Sequence, residues 1–252
     1  MAEVGNADRL LGGEGLEIGA VHEIKPMPGG SGWTAGWTAA RAFALALAGR
    51  RLLADDADPI RRDRMLLWCV GAGMGGEFGL PYGAGLTALG IDPGRLIVAE
   101  PASAQDALWV LEEALGSGAL ALVAGEVDEI GLTPARRLAL AAARTHTPCL
   151  VVTHPRAEAT AATATRWRVG PALSPPHPFD ACAPGAVRFA VALERCRSRP
   201  LPGSVFSILE WCDAAYHFRV ACDVADRADA SGQSGSRAGS ASGPPRAAVR
   251  AG

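Results

Sequence analysis

Apolar residues along this chain fall into short runs, at 21–25, 65–70, 95–99, 119–124 and 149–153, separated by stretches with helical spacing. All but the first are apolar at nearly every successive position, not at alternate ones, which predicts strands buried on both faces of a parallel sheet. A helix is expected over about 34–53, and a shorter one ending near Gly90. Ser103 is placed to N-cap a third, with Asp106 three residues on and Leu108, Leu111 and Leu115 continuing it to Gly116. Thr133-Pro134 reads as an N-cap followed by proline at the first helical position, opening a helix to about Arg144. Beyond Pro155 the pattern changes. The segments 166–169, 187–194, 205–211 and 216–220 are separated by turn residues and show no helical period. They predict added strands, antiparallel in direction, that extend the sheet or form a small subdomain. The fold class expected is α/β.

Composition divides the chain further. From 225 to 252 there is no aromatic residue, Leu or Ile, and Ser, Gly, Ala and Arg dominate. Such a segment cannot bury enough apolar area to offset its ordering, so residues 223–252 are expected to be a disordered tail. The expected layout is a lead-in over 1–20, one domain over 21–222 (core 21–155, added strands 165–222), and the tail. Residues 1–230 carry a net charge of −5 out of −2 for the whole chain, so no strong field for nucleic acid is expected from the domain as a whole. No run of about 18 apolar residues predicts a membrane span. The first 20 residues hold four acids and one Arg, unlike a leader. Six cysteines without a C-x-x-C pair point to reduced thiols and a cytoplasmic protein.

Ligands of open α/β sheets bind at the carboxyl ends of the strands, which directs attention to the turn after the first strand. It reads Pro26-Met27-Pro28-Gly29-Gly30-Ser31-Gly32-Trp33-Thr34. A phosphate loop combines backbone N–H groups at a helix N-terminus with a lysine for the β/γ-phosphates and a hydroxyl for Mg²⁺. Gly29, Gly30, Ser31, Gly32 and Thr34 fit that pattern, but Trp33 occupies the lysine position and Met27 that of the first glycine. The basic residues are 23 Arg and a single lysine, Lys25, which lies before the loop on the strand. The favoured reading is a Gly-rich turn without nucleotide, with ATP and Mg²⁺ as the alternative. Glu126, following the fourth apolar run with Asp128 and Glu129 nearby, could orient Mg²⁺ or be an ordinary solvated cap; the cap is favoured.

Other chemistry is sparse. Cys212, His217 and Cys222 have the spacing of three zinc-knuckle ligands, but Leu209 stands where the fourth belongs, so no metal site is expected. No G-x-S-x-G occurs and the five histidines are scattered, with His154 alone near the ligand edge, so no catalytic residue is assigned. Arg166 and Arg168 share one strand face, and Arg195 and Arg197 follow. These four are candidates for contact with a partner or DNA; equally, they are solvated edge positions that guard against aggregation.

The run 65–153 resembles the RecA core, through Leu89-Gly90-Ile91-Asp92, Gln105-Asp106-Ala107-Leu108 and Glu112-Glu113-Ala114-Leu115-Gly116-Ser117-Gly118-Ala119. More closely, residues 9–220 resemble the ImuA-type proteins, in Gly19-Ala20-Val21-His22-Glu23-Ile24, Ala107-Leu108-Trp109-Val110-Leu111, Ala164-Thr165-Arg166-Trp167-Arg168-Val169 and Glu194-Arg195-Cys196-Arg197. The resemblance implies a RecA-like core, mostly parallel with helices on both faces, extended by C-terminal antiparallel strands. It further implies a non-catalytic accessory role in SOS mutagenesis. The implied partners are an ImuB-like Y-family polymerase homologue and, through it, an error-prone C-family DNA polymerase, with DNA contact left open and no membrane. RecA's loop lysine corresponds to Trp33 and its Walker B aspartate to Glu126. Its catalytic glutamate would fall near Gly71–Gly73, where no acid stands. A divergent P-loop ATPase acting on DNA and a SulA-like cell-division inhibitor are the alternatives.

Overall fold

The computed structural model describes residues 16–27, 32–198, 201 and 205–222. The expected tail, most of the expected lead-in, and Gly29, Gly30 and Ser31 lie outside them. The elements in chain order are β1 (Val21–Pro26), α1 (Gly32–Asp56), β2 (Met65–Cys69), α2 (Met74–Phe78), α3 (Gly83–Ala88), β3 (Leu96–Ala99), α4 (Ala104–Ser117), β4 (Leu120–Val127), α5 (Leu132–Thr145), β5 (Cys149–Thr153), β6 (Thr165–Ala172), β7 (Pro176–His177), β8 (Asp180–Pro184), β9 (Arg188–Cys196), β10 (Val205–Cys212) and β11 (His217–Cys222).

Nine strands form one sheet in the order β11-β10-β9-β6-β1-β5-β4-β2-β3. The six from β6 to β3 are mutually parallel, and β9, β10 and β11 run antiparallel. The chain is therefore α/β with a mostly parallel sheet, helices, and antiparallel strands at its C-terminal end. One expectation is corrected: β6 is parallel to β1, with Glu23 opposite Arg166 and Lys25 opposite Arg168. Beside β1, its apolar Trp167 and Val169 fall under α1, where Phe43 lies 6.0 Å from Trp167, ring centre to ring centre.

The apolar runs explain the layers. On β1, Ile24 faces α1, joined there by Trp37, Phe43, Leu66, Trp68, Leu122 and Trp167. Val21 faces the other way, into a core with Leu111, Leu115, Val123, Leu138 and Val151 under α4 and α5. Each fully buried side chain of this size contributes about 1.5–3 kcal/mol. An aromatic group ties the antiparallel strands to α1: Phe43 lies 5.1 Å from Phe218 and 5.8 Å from Phe189, and Trp211 lies 5.0 Å from Phe218, ring centre to ring centre. These strands thus extend the sheet and share its core.

Helix ends follow local chemistry. Ser103 Oγ accepts from Asp106 N at 3.1 Å and caps α4. At α5 the cap is Gly131, not Thr133, so Leu132 is the first helical residue and Pro134 lies within the first turn, where a missing N–H costs nothing. Gly49 lets α1 approach the turn after α3, since a Cβ there would stand 2.0 Å from the Leu89 carbonyl oxygen. The register of β10 and β11 pairs Cys212 with His217 and puts Cys222 opposite Ile208, at the far end of that hairpin, so the zinc-like spacing is that of two paired strands.

Candidate functional site

β1, β5, β4 and β2 all end at one edge of the sheet, where α1 begins, and β6 leaves the sheet beside them. This is where an open α/β sheet presents ligands, and β1, with β5 on one side and β6 on the other, marks the point where the strand order reverses. A cleft of about 750 Å³ lies between α4 and α5, lined by Glu112, Glu113, Arg137, Leu140 and Arg144. It flanks the C-terminal halves of two helices that run against the strands, so it opens toward the opposite edge.

At the strand ends, Gly32 starts α1 and Thr34 lies exposed in its first turn, its carbonyl accepting from Thr38 Oγ1 at 2.9 Å. Glu126 does not belong to a solvated turn as expected. β4 runs on to Val127, which places Glu126 inside the strand and fully buried on the α1 face. Its Oε1 lies 2.8 Å from Arg41 Nε and accepts from the Trp68 indole at 2.7 Å. Burial pushes its carboxyl above the ordinary range. The Arg41 guanidinium, Trp68 and Trp37 act in the opposite direction and favour the ionised form. Arg41 extends further, donating from Nη1 to the carbonyls of Gly79 at 2.8 Å and Phe78 at 3.3 Å. Glu126 thus joins α1, β2 and, through Arg41, the end of α2, with its first oxygen committed inside the protein.

Lys25 is equally enclosed. Strand alternation puts it on the face away from α1, 1% exposed. Its Nζ lies 3.3 Å from Glu23 Oε1 and donates to the Ala157 carbonyl at 2.5 Å. Glu23, also buried, accepts from Thr153 Oγ1 at 3.0 Å and from Arg166 Nε at 2.8 Å. The chain's one lysine and Glu126 therefore lie on opposite faces of the sheet, and neither is presented to the strand ends. Sequence reasoning passed over Glu23, though an acid two residues from the lone lysine within an apolar strand was the available signal.

Of the four arginines, Arg166 and Arg195 are brought together as cross-strand partners, Arg168 and Arg197 lie apart, and all four are engaged from within. Arg166 Nη2 and Arg195 Nη1 both donate to the Thr160 carbonyl, at 2.8 and 2.9 Å, and Arg195 Nη2 donates to that of Ala161 at 2.8 Å. Arg168 pairs with Glu194 at 2.8 Å and donates to the Pro155 carbonyl at 2.7 Å. Together with Lys25 they fasten the 155–161 segment across the sheet. Arg197 pairs with Glu17 at 2.6 Å. The Glu17 carbonyl accepts from His22 Nε2 at 2.9 Å, and His22 Nδ1 accepts from the Thr165 hydroxyl at 2.8 Å; burial lowers this imidazole's affinity for a second proton. His154 closes a local turn, its Nδ1 accepting from Arg156 N at 3.2 Å.

No family model matches the chain. Among solved structures, SulA from Pseudomonas aeruginosa is 17% identical and covers 53% of this chain and 97% of that one, at a TM-score of 0.36, too low to carry a fold argument. Proteins named ImuA from two strains of Caulobacter vibrioides are 32% identical over 169 residues, spanning 63% of this chain and 68% of each relative. With more than two thirds of those relatives matched at that identity, the chain belongs to the ImuA family.

Proposed function

We propose that this chain is a non-catalytic adaptor with a RecA-like core, serving a translesion synthesis complex induced by DNA damage. In this reading it holds an ImuB-like, clamp-associated Y-family polymerase homologue and, through it, assists an error-prone C-family DNA polymerase. Family membership supports the mutagenesis role, and the six-stranded parallel sheet with α1 across one face is what a RecA-like core requires.

One observation carries the non-catalytic part. A magnesium nucleotide asks two things of this edge: a lysine reaching the β/γ-phosphates, and an acid at the end of the neighbouring strand, free to orient Mg²⁺ or its water. The acid here is Glu126, whose Oε1 already holds Arg41 and Trp68. The lysine is Lys25, on the other face and held by Glu23 and Ala157. Releasing either would break a buried ion pair, at a cost of about 3–5 kcal/mol. The described residues therefore do not fit a magnesium nucleotide.

The test has two arms. Calorimetric titration with a non-hydrolysable ATP analogue and Mg²⁺ should give no binding heat, and phosphate release should stay at background. Turnover that disappears in Thr34→Ala would overturn the non-catalytic assignment. Copurification with the ImuB-like protein of the same organism should yield a stable complex, and its failure would overturn the adaptor assignment.

A further inference from the structure

Strands β6 and β9 are paired to their ends, Ala172 opposite Arg188, so a two-residue turn would suffice to join them. The chain inserts residues 173–187 instead, and these contain the β7–β8 hairpin. Because β6 is parallel to β1, the hairpin follows β6 at the edge of the sheet where β1 ends, and there Met27 N–H donates to the Val169 carbonyl of β6 at 2.7 Å.

The insertion is stiff. Pro176 pairs with Pro184 and His177 with Asp180, and Gly185 N donates to the Pro175 carbonyl at 2.7 Å. Asp180 Oδ1 accepts from Cys182 N at 2.9 Å, and Phe179 N donates to His177 Nδ1 at 3.3 Å. Prolines at 175, 176, 178 and 184 fix φ at four positions. Yet this ordered segment leaves its large apolar side chains in solvent: Leu173 is 90% exposed and Phe179, at the tip, 93%. Rigid presentation of an aromatic lowers the entropy lost on binding, and aromatics are prominent among the residues that dominate protein interfaces.

Charge decides the class of partner. Between Arg168 and Arg188 the sole Asp, Glu, Lys or Arg is Asp180. A nucleic-acid surface needs cations for the phosphates, and this projection offers an anion. A concave protein surface has no such requirement.

We propose that the 173–187 hairpin is a protein-docking element. Phe179 enters an apolar pocket of the partner, and a cation on the pocket rim faces Asp180. The proposal rests on the adaptor reading, with the ImuB-like protein as the partner.

The dissociation constant for the purified ImuB-like protein is measured for the wild-type chain, Phe179→Ser, Asp180→Asn, and Ile60→Ser as a control. Ile60 is equally exposed, at 91%, and lies in the connection after α1. Thermal melts of the three variants should coincide with wild type, since none of these side chains is buried. Phe179→Ser should bind about 30-fold more weakly, as truncation of an aromatic anchor does. Asp180→Asn should lose about 2–5-fold, with a shallower salt dependence, and Ile60→Ser should be unchanged. If Phe179→Ser binds as the wild type does, the hairpin assignment falls while the adaptor reading stands. If Asp180→Asn is unchanged, the cationic rim falls. If the wild type does not bind, both the adaptor reading and the docking assignment fall. If Phe179→Ser instead weakens binding of a single-stranded oligonucleotide, the hairpin is a base-stacking element and the proposal is overturned.

Discussion

Replacing Arg41 with methionine keeps most of the side chain's volume and removes the counterion of a fully buried carboxylate. Arg41 Nε lies 2.8 Å from Glu126 Oε1, and its Nη1 also satisfies the Gly79 carbonyl. Breaking a buried pair from one side costs about 3–5 kcal/mol, because the remaining charge stays desolvated. At about 2–4 °C per kcal/mol for a domain of this size, the melting temperature should fall by about 6–20 °C. The loss should also depend on pH. Burial already raises the Glu126 carboxyl above its ordinary value of 4.5, against the pull of Arg41, and without Arg41 it rises further. A raised carboxyl binds more protons folded than unfolded, so its stabilising share is complete below 4.5 and is lost as pH climbs through the folded value. The deficit of Arg41→Met should therefore widen from pH 5 to pH 8. Adding Glu126→Gln should recover part of it, since a neutral amide still accepts from Trp68. Differential scanning calorimetry across that range is the assay. A deficit under about 2 °C, one that narrows with rising pH, or no recovery in the double variant would refute the reasoning.

Gly49→Ala tests the approach of α1. Helix propensity alone would give about 1 kcal/mol of stabilisation, but a Cβ 2.0 Å from the Leu89 carbonyl oxygen should reverse the sign in a urea titration; a more stable variant would contradict the packing. Lys25 should resist an amine-reactive ester in the native protein and become labelled on unfolding, as followed by peptide mapping; rapid native labelling would place it outside the Glu23 pair. Burial pushes the thiols of Cys69 and Cys149 up to about 12, so at pH 8 both should stay silent toward a thiol reagent until the chain unfolds, while exposed Cys182 reacts at once.

The sequence by itself determined the order of elements. Runs of five or six mostly apolar residues between helical spacings suffice for that, because a strand covered on both faces buries successive positions, and β1 meets that demand by pairing its Glu23 with Lys25. Hence β1, β2, β4 and β5 lie close to where the pattern put them, and the ImuA resemblance was legible in short phrases that fall on β1, α4, β6 and β9. The β7–β8 hairpin was missed, since five prolines and exposed apolar residues between 171 and 184 carry neither strand nor helix period. Tertiary structure alone decided the direction of β6, which depends on its pairing with β1 and not on its own residues. It also decided the fate of the charges. An acid at the end of an apolar run reads as solvated, and Glu126 is buried only because Arg41 and Trp68, distant in sequence, meet it there. Likewise the arginines that looked outward from their strand are engaged by carbonyls of the 155–161 segment, whose path no local pattern specifies. Local periodicity fixes which face a residue takes; which charge waits on that face is set by chain segments brought together only in the fold.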